Sequence, residues 1–242
     1  MSPASTSHLR KKEYGLEAER KAFFGRRSAH KLHPTQQKLA DELLPKVKLD
    51  LGEGPLALNA IFEHQAPKNF IEIGYGGGEH LARQARENRD ANFIGCEPFI
   101  GGIGKMLAAI NDDQLTNVKL FTDDALHLLK ALPEASFDGA YLLYPDPWPK
   151  KRHHKRRFVN AVTLSALARI LKPGAEFRVA TDIEDYATWA LGHILRHDQF
   201  DWPQVDATSW HEPWDGWQST RYEQKARKEG RNISFYFSFI RT

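Results

Sequence analysis

The sequence predicts an α/β fold in which a parallel sheet is covered by helices on both faces. Two observations predict it. Five short apolar runs are each followed by a stretch of helical periodicity, and parallel neighbours need a crossover helix between them. Those runs are also nearly continuous in apolar residues, as strands buried on both faces are.

In chain order, residues 1–33 read as a basic N-terminal extension and 34–242 as the folded domain. TQQKLADELLPKV and PLALNAIFEHQ read as short helices, each preceded or interrupted by proline. NFIEIG (69–74) leads to a helix around EHLARQARENR, NFIGCEP (92–98) to one near GKMLAAIND, and NVKLF (117–121) to DDALHLLKAL. FDGAYLLY (137–144) precedes RRFVNAVTLSALARILKPG, and AEFRVATD (175–182) precedes IEDYATWALGHILRH. Residues 199–217 hold Trp202, Trp210, Trp214 and Trp217 among prolines and acids, a loop with room for one more strand. The last run, 233–240, alternates Ile233, Phe235, Phe237 and Phe239 with Ser234, Tyr236, Ser238 and Ile240, a strand with two unlike faces.

Composition narrows the function. The chain has 242 residues, 41% of them apolar, and a single cysteine, and it has no apolar run near the roughly 18 residues of a membrane-spanning helix. Intrachain disulfides and multi-cysteine metal sites are excluded. The start, MSPASTSHLRKKEYG, turns charged without an apolar segment, so a cytoplasmic setting is expected. Net charge is +3, but residues 8–31, 150–157 and 221–231 together carry +14, leaving −11 on the other 199 residues. An acidic body thus bears three basic segments. Any one of them reads plainly as a solvated face; three that converge suit nucleic acid, because each phosphate contact by Lys or Arg releases a counterion.

In an open parallel sheet the ligand sits beyond the carboxyl ends of the strands. The first strand ends in Glu72-Ile73-Gly74-Tyr75-Gly76-Gly77-Gly78, where Gly74, Gly76 and Gly78 allow a tight turn and close approach of a ligand. The spacing fits a dinucleotide fingerprint only loosely, and Glu72 would repel a pyrophosphate. S-adenosyl-L-methionine has no phosphate and carries an ammonium and a sulfonium, so this run favours it as cofactor. Glu97 ends the second strand, 25 residues after Glu72, where it can accept hydrogen bonds from ribose hydroxyls. Asp123 and Asp124 follow the third, one of them as a helix N-cap. Cys96 reads as an inert buried strand residue.

The fourth strand carries the most specific signal, Tyr144-Pro145-Asp146-Pro147-Trp148-Pro149-Lys150-Lys151-Arg152-His153-His154-Lys155-Arg156-Arg157. Prolines on both sides hold the Asp146 carboxylate rigidly. An aromatic able to stack on a base and a basic run follow at once, a compact nucleobase and phosphate site. The paired histidines lack neighbouring ligands at metal spacing, so no metal is expected.

With FIEIGYGGGEHLA, FIGCEP followed by GGIGKML, DDALHLL, FRVATDIEDYA and STRYEQKARKEG, these motifs make the chain resemble the bacterial tRNA (guanine-N7-)-methyltransferase family over roughly residues 26–242. The resemblance implies a class I S-adenosylmethionine-dependent, Rossmann-like fold, mostly parallel with an antiparallel C-terminal strand. It implies S-adenosyl-L-methionine as donor and a guanine of the tRNA variable loop as acceptor. By position, Glu72, Glu97, Asp124 and Asp146 match cofactor-contacting acids, Asp146 being also the proposed active-site residue. Lys150, Asp182 and the segment Thr220, Arg221, Tyr222 and Glu223 match substrate-binding positions. Arg152, His153, His154, Lys155, Arg156 and Arg157 match the RNA-contacting stretch. Arg221 and Tyr222 replace a common Lys and Phe, keeping charge and aromaticity, and Pro98-Phe99 replaces a more polar pair after Glu97.

Guanine N7 bears a lone pair and no proton, so its methylation needs no general base. The site must supply alignment and carboxylates that favour a cationic ring. On this reading Asp146 positions and stabilises, Asp182 and Glu223 accept the guanine N1 and N2 hydrogens, Lys150 contacts base or phosphate, and Thr220 serves either the substrate or a helix cap. Expected partners are tRNA, without membrane or metal, to a monomer or homodimer. Two rivals are an amino-group methyltransferase, disfavoured because the motif is P-D-P-W with a basic run directly after it, and an RNA-binding protein on a degenerate scaffold, disfavoured by the intact acids.

Overall fold

The computed structural model describes residues 24, 25, 27, 28, 31–52, 54, 56–62, 65–203 and 209–242. Most of the expected basic extension at 1–33 lies outside the described residues.

Three short helices, α1 (Pro34–Glu42), α2 (Leu44–Val47) and α3 (Leu58–Ile61), precede the alternating core. That core runs β1 (Lys68–Ile73), α4 (Glu79–Glu87), β2 (Ala91–Cys96), α5 (Ile100–Asp112), β3 (Val118–Phe121), α6 (Ala125–Ala131) and β4 (Phe137–Leu143). A 3₁₀ helix (Lys151–Arg156) follows, then α7 (Ala161–Ile170), β5 (Leu171–Thr181), α8 (Glu184–Ile194), β6 (Phe200–Asp201), a 3₁₀ turn (Ser209–His211), α9 (Arg221–Lys228) and β7 (Phe235–Arg241).

The seven strands form one sheet in the order β3-β2-β1-β4-β5-β7-β6. β1 to β5 pair in parallel, β7 runs antiparallel to β5, and β6 antiparallel to β7. This is the class I methyltransferase arrangement. The order reverses between β1 and β4, and the crevice there is where an open α/β sheet takes its ligand.

Burial explains why the runs are strands. All six residues of β2 are buried, because α4 and α5 cover one face and α6, α7 and α8 the other. β7 begins at Phe235, two residues later than expected, and Ile233 is exposed. Its alternation is real: Phe237 and Phe239 join the large core cluster, while Tyr236 points to the opposite face with Tyr141, Leu143 and Ala180. The tryptophan-rich stretch roofs these surfaces. Trp202 and Trp210 stack 5.8 Å apart beside Phe237, and Trp214 and Trp217 pack on Tyr236. The extra strand it had room for is the two-residue β6.

Candidate active site

A cavity of about 680 Å³ opens at the carboxyl ends of β1, β2 and β4, within the range of small-molecule sites. Glu72, Glu97, Asp124 and Asp146 all line it. The parallel sheet brings four carboxylates, each at or just beyond the end of a different strand, to one crevice.

Each acid is held differently. Glu72 is buried and its Oε2 lies 2.7 Å from His80 Nδ1. Glu97 bridges two loops: Oε2 accepts from the Gly76 backbone N–H at 3.0 Å and Oε1 from the Phe99 N–H at 2.9 Å. Phe99, from the pair that departs from the family pattern, thus supplies a backbone donor, and both Pro98 and Phe99 line the cavity. Burial raises the Glu97 pKa, only partly offset by those two amides. Asp124 caps α6 by accepting from the Leu126 N–H, which fulfils the N-cap expectation while leaving it on the cavity wall. Asp123 instead pairs with Arg27.

The glycine turn is shaped for a guest. Gly76 has φ of 56°, and a Cβ built on it or on Gly74 meets no atom of the described residues within 4 Å beyond its own chain neighbours. Gly78 serves the tight turn, its N–H donating to the Tyr75 carbonyl at 2.8 Å. It caps α4 at φ 82° and does not line the cavity, and a Cβ there would stand 2.5 Å from Met106 Sδ, so both backbone and packing call for glycine.

Asp146 sits in an unusual loop. Tyr144 and Trp148 both adopt left-handed backbone, at φ 49° and 44°, a conformation costing non-glycine residues on the order of 1–3 kcal/mol and concentrated at functional sites. The Asp146 side chain is exposed to the cavity, yet desolvation by the walls raises its pKa. Cys96 is fully buried, its thiol pKa pushed up by burial first and Glu97 second, as an inert residue requires.

The basic stretch divides. Lys150, Arg152 and Lys155 are exposed and lie outside the cavity wall. Arg156 lines the cavity mouth between Trp148 and Phe24, its guanidinium carbon 4.9 and 5.4 Å from the two rings. His153 packs edge-on to Trp148; desolvation and then Arg156 and Arg152 lower its pKa. His154 lies against Trp189 and bonds to Arg157.

Arg157 corrects the expectation of RNA contact. It is 1% exposed, its Nε donates to the Pro147 carbonyl at 2.8 Å, and its Nη2 pairs with Asp185. With Tyr186 and Trp189 rings beside it, no side of this guanidinium is open to phosphate. It anchors the loop that carries Asp146.

Two more residues take different roles. Glu223 is 1% exposed, and its oxygens accept from Tyr236 Oη (3.0 Å), Trp217 Nε1 (3.1 Å) and Arg227 Nη2. Asp182 has a 3% exposed side chain bound by Arg231 Nε at 2.6 Å. Neither carboxylate is among the residues lining the cavity, and both are engaged by protein side chains. Thr220 is the cap of α9, accepting from the Glu223 N–H, and it also lines the cavity. Tyr222 lines it too, its ring 5.3 Å from Tyr144, while Arg221 is exposed on the outer side.

Residue reasoning missed His80, Trp217, Asp185 and Arg231. His80 alone left a trace, a histidine in the first helical turn after a strand-end acid.

Known proteins match the chain over most of its length. Residues 66–236 match a family model described as "Putative methyltransferase". The tRNA (guanine-N(7)-)-methyltransferase of Bradyrhizobium diazoefficiens is 46% identical over 227 residues, 93% of this chain and 96% of that one. Those of Agrobacterium fabrum and Brucella melitensis are each 48% identical, over 91% and 90% of this chain and 95% and 94% of theirs. The chain belongs to the tRNA (guanine-N(7)-)-methyltransferase family. A solved structure of an antibiotic-related methyltransferase aligns at TM-score 0.49 and 19% identity, covering 79% of this chain and 97% of that one, so membership rests on the sequence relatives. Within this methyltransferase, no helix among the described residues is long and apolar enough to cross a membrane, and no group of three or more His, Cys, Asp or Glu among them is placed to hold a metal ion.

Proposed function

We propose that the chain transfers a methyl group from S-adenosyl-L-methionine to N7 of a guanine in the tRNA variable loop, forming 7-methylguanosine. The observation that carries this reading is the cavity itself, where carboxylates from four strand ends meet an open glycine turn. Its walls fit a phosphate-free cation better than a dinucleotide, because Arg156 is the sole Lys or Arg among the described lining residues.

When bound, S-adenosyl-L-methionine supplies an electrophilic methyl group on a sulfonium. Glu72, Glu97 and Asp124 bind and orient it, Glu72 facing positive charge and Glu97 holding the glycine turn in shape. Asp146 places negative charge where the methylated purine becomes cationic, and it removes no proton because N7 has none. Its rigidity comes from the flanking prolines and from Arg157 on the Pro147 carbonyl. Trp148, Tyr144 and Tyr222 give aromatic walls for a flipped base, stacking worth about 1–3 kcal/mol per base in comparable sites. Exposed Lys150, Arg152, Lys155 and Arg221 serve phosphates.

The test is an assay with methyl-labelled donor, bulk tRNA and identification of the product nucleoside. Labelled 7-methylguanosine is expected; label on an exocyclic amine would establish the amino-group rival instead.

A further inference from the structure

We propose that His80 is a positioning residue for the methyl donor, acting through Glu72. It rests on the donor reading above.

Glu72 ends β1 and His80 stands in the first turn of α4, so the tight glycine turn folds one back on the other. Nδ1 and Oε2 meet at 2.7 Å with both side chains almost wholly buried, 2% and 3% exposed. An ionised carboxylate only accepts, so Nδ1 is then the protonated nitrogen. Among the described residues His80 is the sole side-chain partner of Glu72. The imidazole is wedged in turn between Tyr141, 4.8 Å away, and Trp217, 5.8 Å away.

The far nitrogen, Nε2, is buried and has no hydrogen-bond partner among the described residues. A residue present for packing alone would be better apolar, because an unpaired buried polar atom is costly. What histidine adds here is a donor at one fixed point. By occupying Oε2 it selects one orientation of the carboxylate and leaves Oε1 for the cavity that both residues line. The chemistry so recognised is an ammonium or sulfonium cation.

Calorimetry on the full chain with S-adenosyl-L-methionine tests this using two variants. His80→Leu removes the donor, whereas His80→Asn keeps an N–H near the position of Nδ1. His80→Leu is expected to weaken donor binding about tenfold or more, His80→Asn to recover most of that loss, and both to bind tRNA alone like the parent. Parent-like donor affinity in His80→Leu, or equal loss in both variants, overturns the proposal. In a Glu72→Ala background, which leaves no acceptor for Nδ1, His80→Leu should cost nothing further, and full additivity would overturn it too.

If His80→Leu fails to fold, the parent labelled with ¹⁵N-histidine decides. The resonance absent from His80→Asn should shift when S-adenosyl-L-homocysteine is added, and indifference to ligand overturns the proposal. A parent that binds no donor defeats the donor reading and this inference together. A parent that binds, with a parent-like His80→Leu, defeats only the inference.

Discussion

Asp146 shows how a single carboxylate is specified. Prolines at 145, 147 and 149 limit the chain on each side, and the left-handed Tyr144 and Trp148 bend it so that the side chain faces the cavity. Because the group is exposed and its proposed role is electrostatic, Asp146→Ala should lower kcat on the order of a hundredfold with little change in melting temperature; single-turnover methyl transfer measures the first and circular dichroism the second. Asp146 and Glu97 also share a pH signature. Burial and desolvation raise both pKa values, so each takes up a proton at a higher pH than an ordinary carboxylate, about 4. A cationic donor favours the ionised forms. Its affinity should therefore be constant near neutrality and fall as pH drops through the raised values, with protons released on binding in that window. Calorimetry in buffers of different ionisation enthalpy reads both; an affinity flat down to pH about 4 would remove these acids from donor binding. The strand-end acids were legible in the sequence because parallel strands deliver their last residues to one crevice. What each acid is bonded to was not, since the partner of Asp182 is 49 residues away and Tyr236 is 13 residues from Glu223.

At the scale of elements, two motifs that look like contact surfaces are partly internal braces. α9 carries Thr220 and Tyr222 to the cavity because Glu223, inside it, is clasped by Trp217 from the preceding loop and Tyr236 from β7. Glu223→Ala strands both donors and should destabilise the fold by about 3 kcal/mol, a fall of roughly 6–12 °C in melting temperature for a chain of this size. A parent-like melting curve combined with a raised KM for tRNA would return Glu223 to base recognition. The 3₁₀ helix after β4 is split in the same way. Arg152 and Lys155 face solvent, whereas Arg157, just beyond its end, turns inward to Pro147 and Asp185. Arg152→Ala should therefore reduce the salt slope of tRNA binding by roughly one, and Arg157→Lys should leave that slope unchanged while lowering kcat. Charge alone could not separate these residues, since burial is decided by α8, whose Tyr186 and Trp189 close over one arginine of the run.

For the whole molecule, the sheet sorts charge by function. Strand ends gather acids into a crevice that suits a cation, while the basic 3₁₀ helix and α9 leave cations around its rim, so a net charge of +3 hides two opposed fields. Arg157, withdrawn to the interior, and Arg231, bound to Asp182 and Glu229, take two charges out of the phosphate-facing set. Even so, Lys150, Lys151, Arg152, Lys155, Arg221, Lys225 and Lys228 remain exposed on these segments. If about six of them neutralise phosphates, log K for tRNA should fall against log salt with a slope near −4 to −5. The proposed donor carries no phosphate, and the cavity assigned to it lies behind the rim, so its own affinity should depend far less on salt. Titrating both ligands from about 50 to 200 mM salt separates the two fields: a tRNA slope near zero would refute the phosphate rim, and a donor slope as steep as that of tRNA would refute the separation.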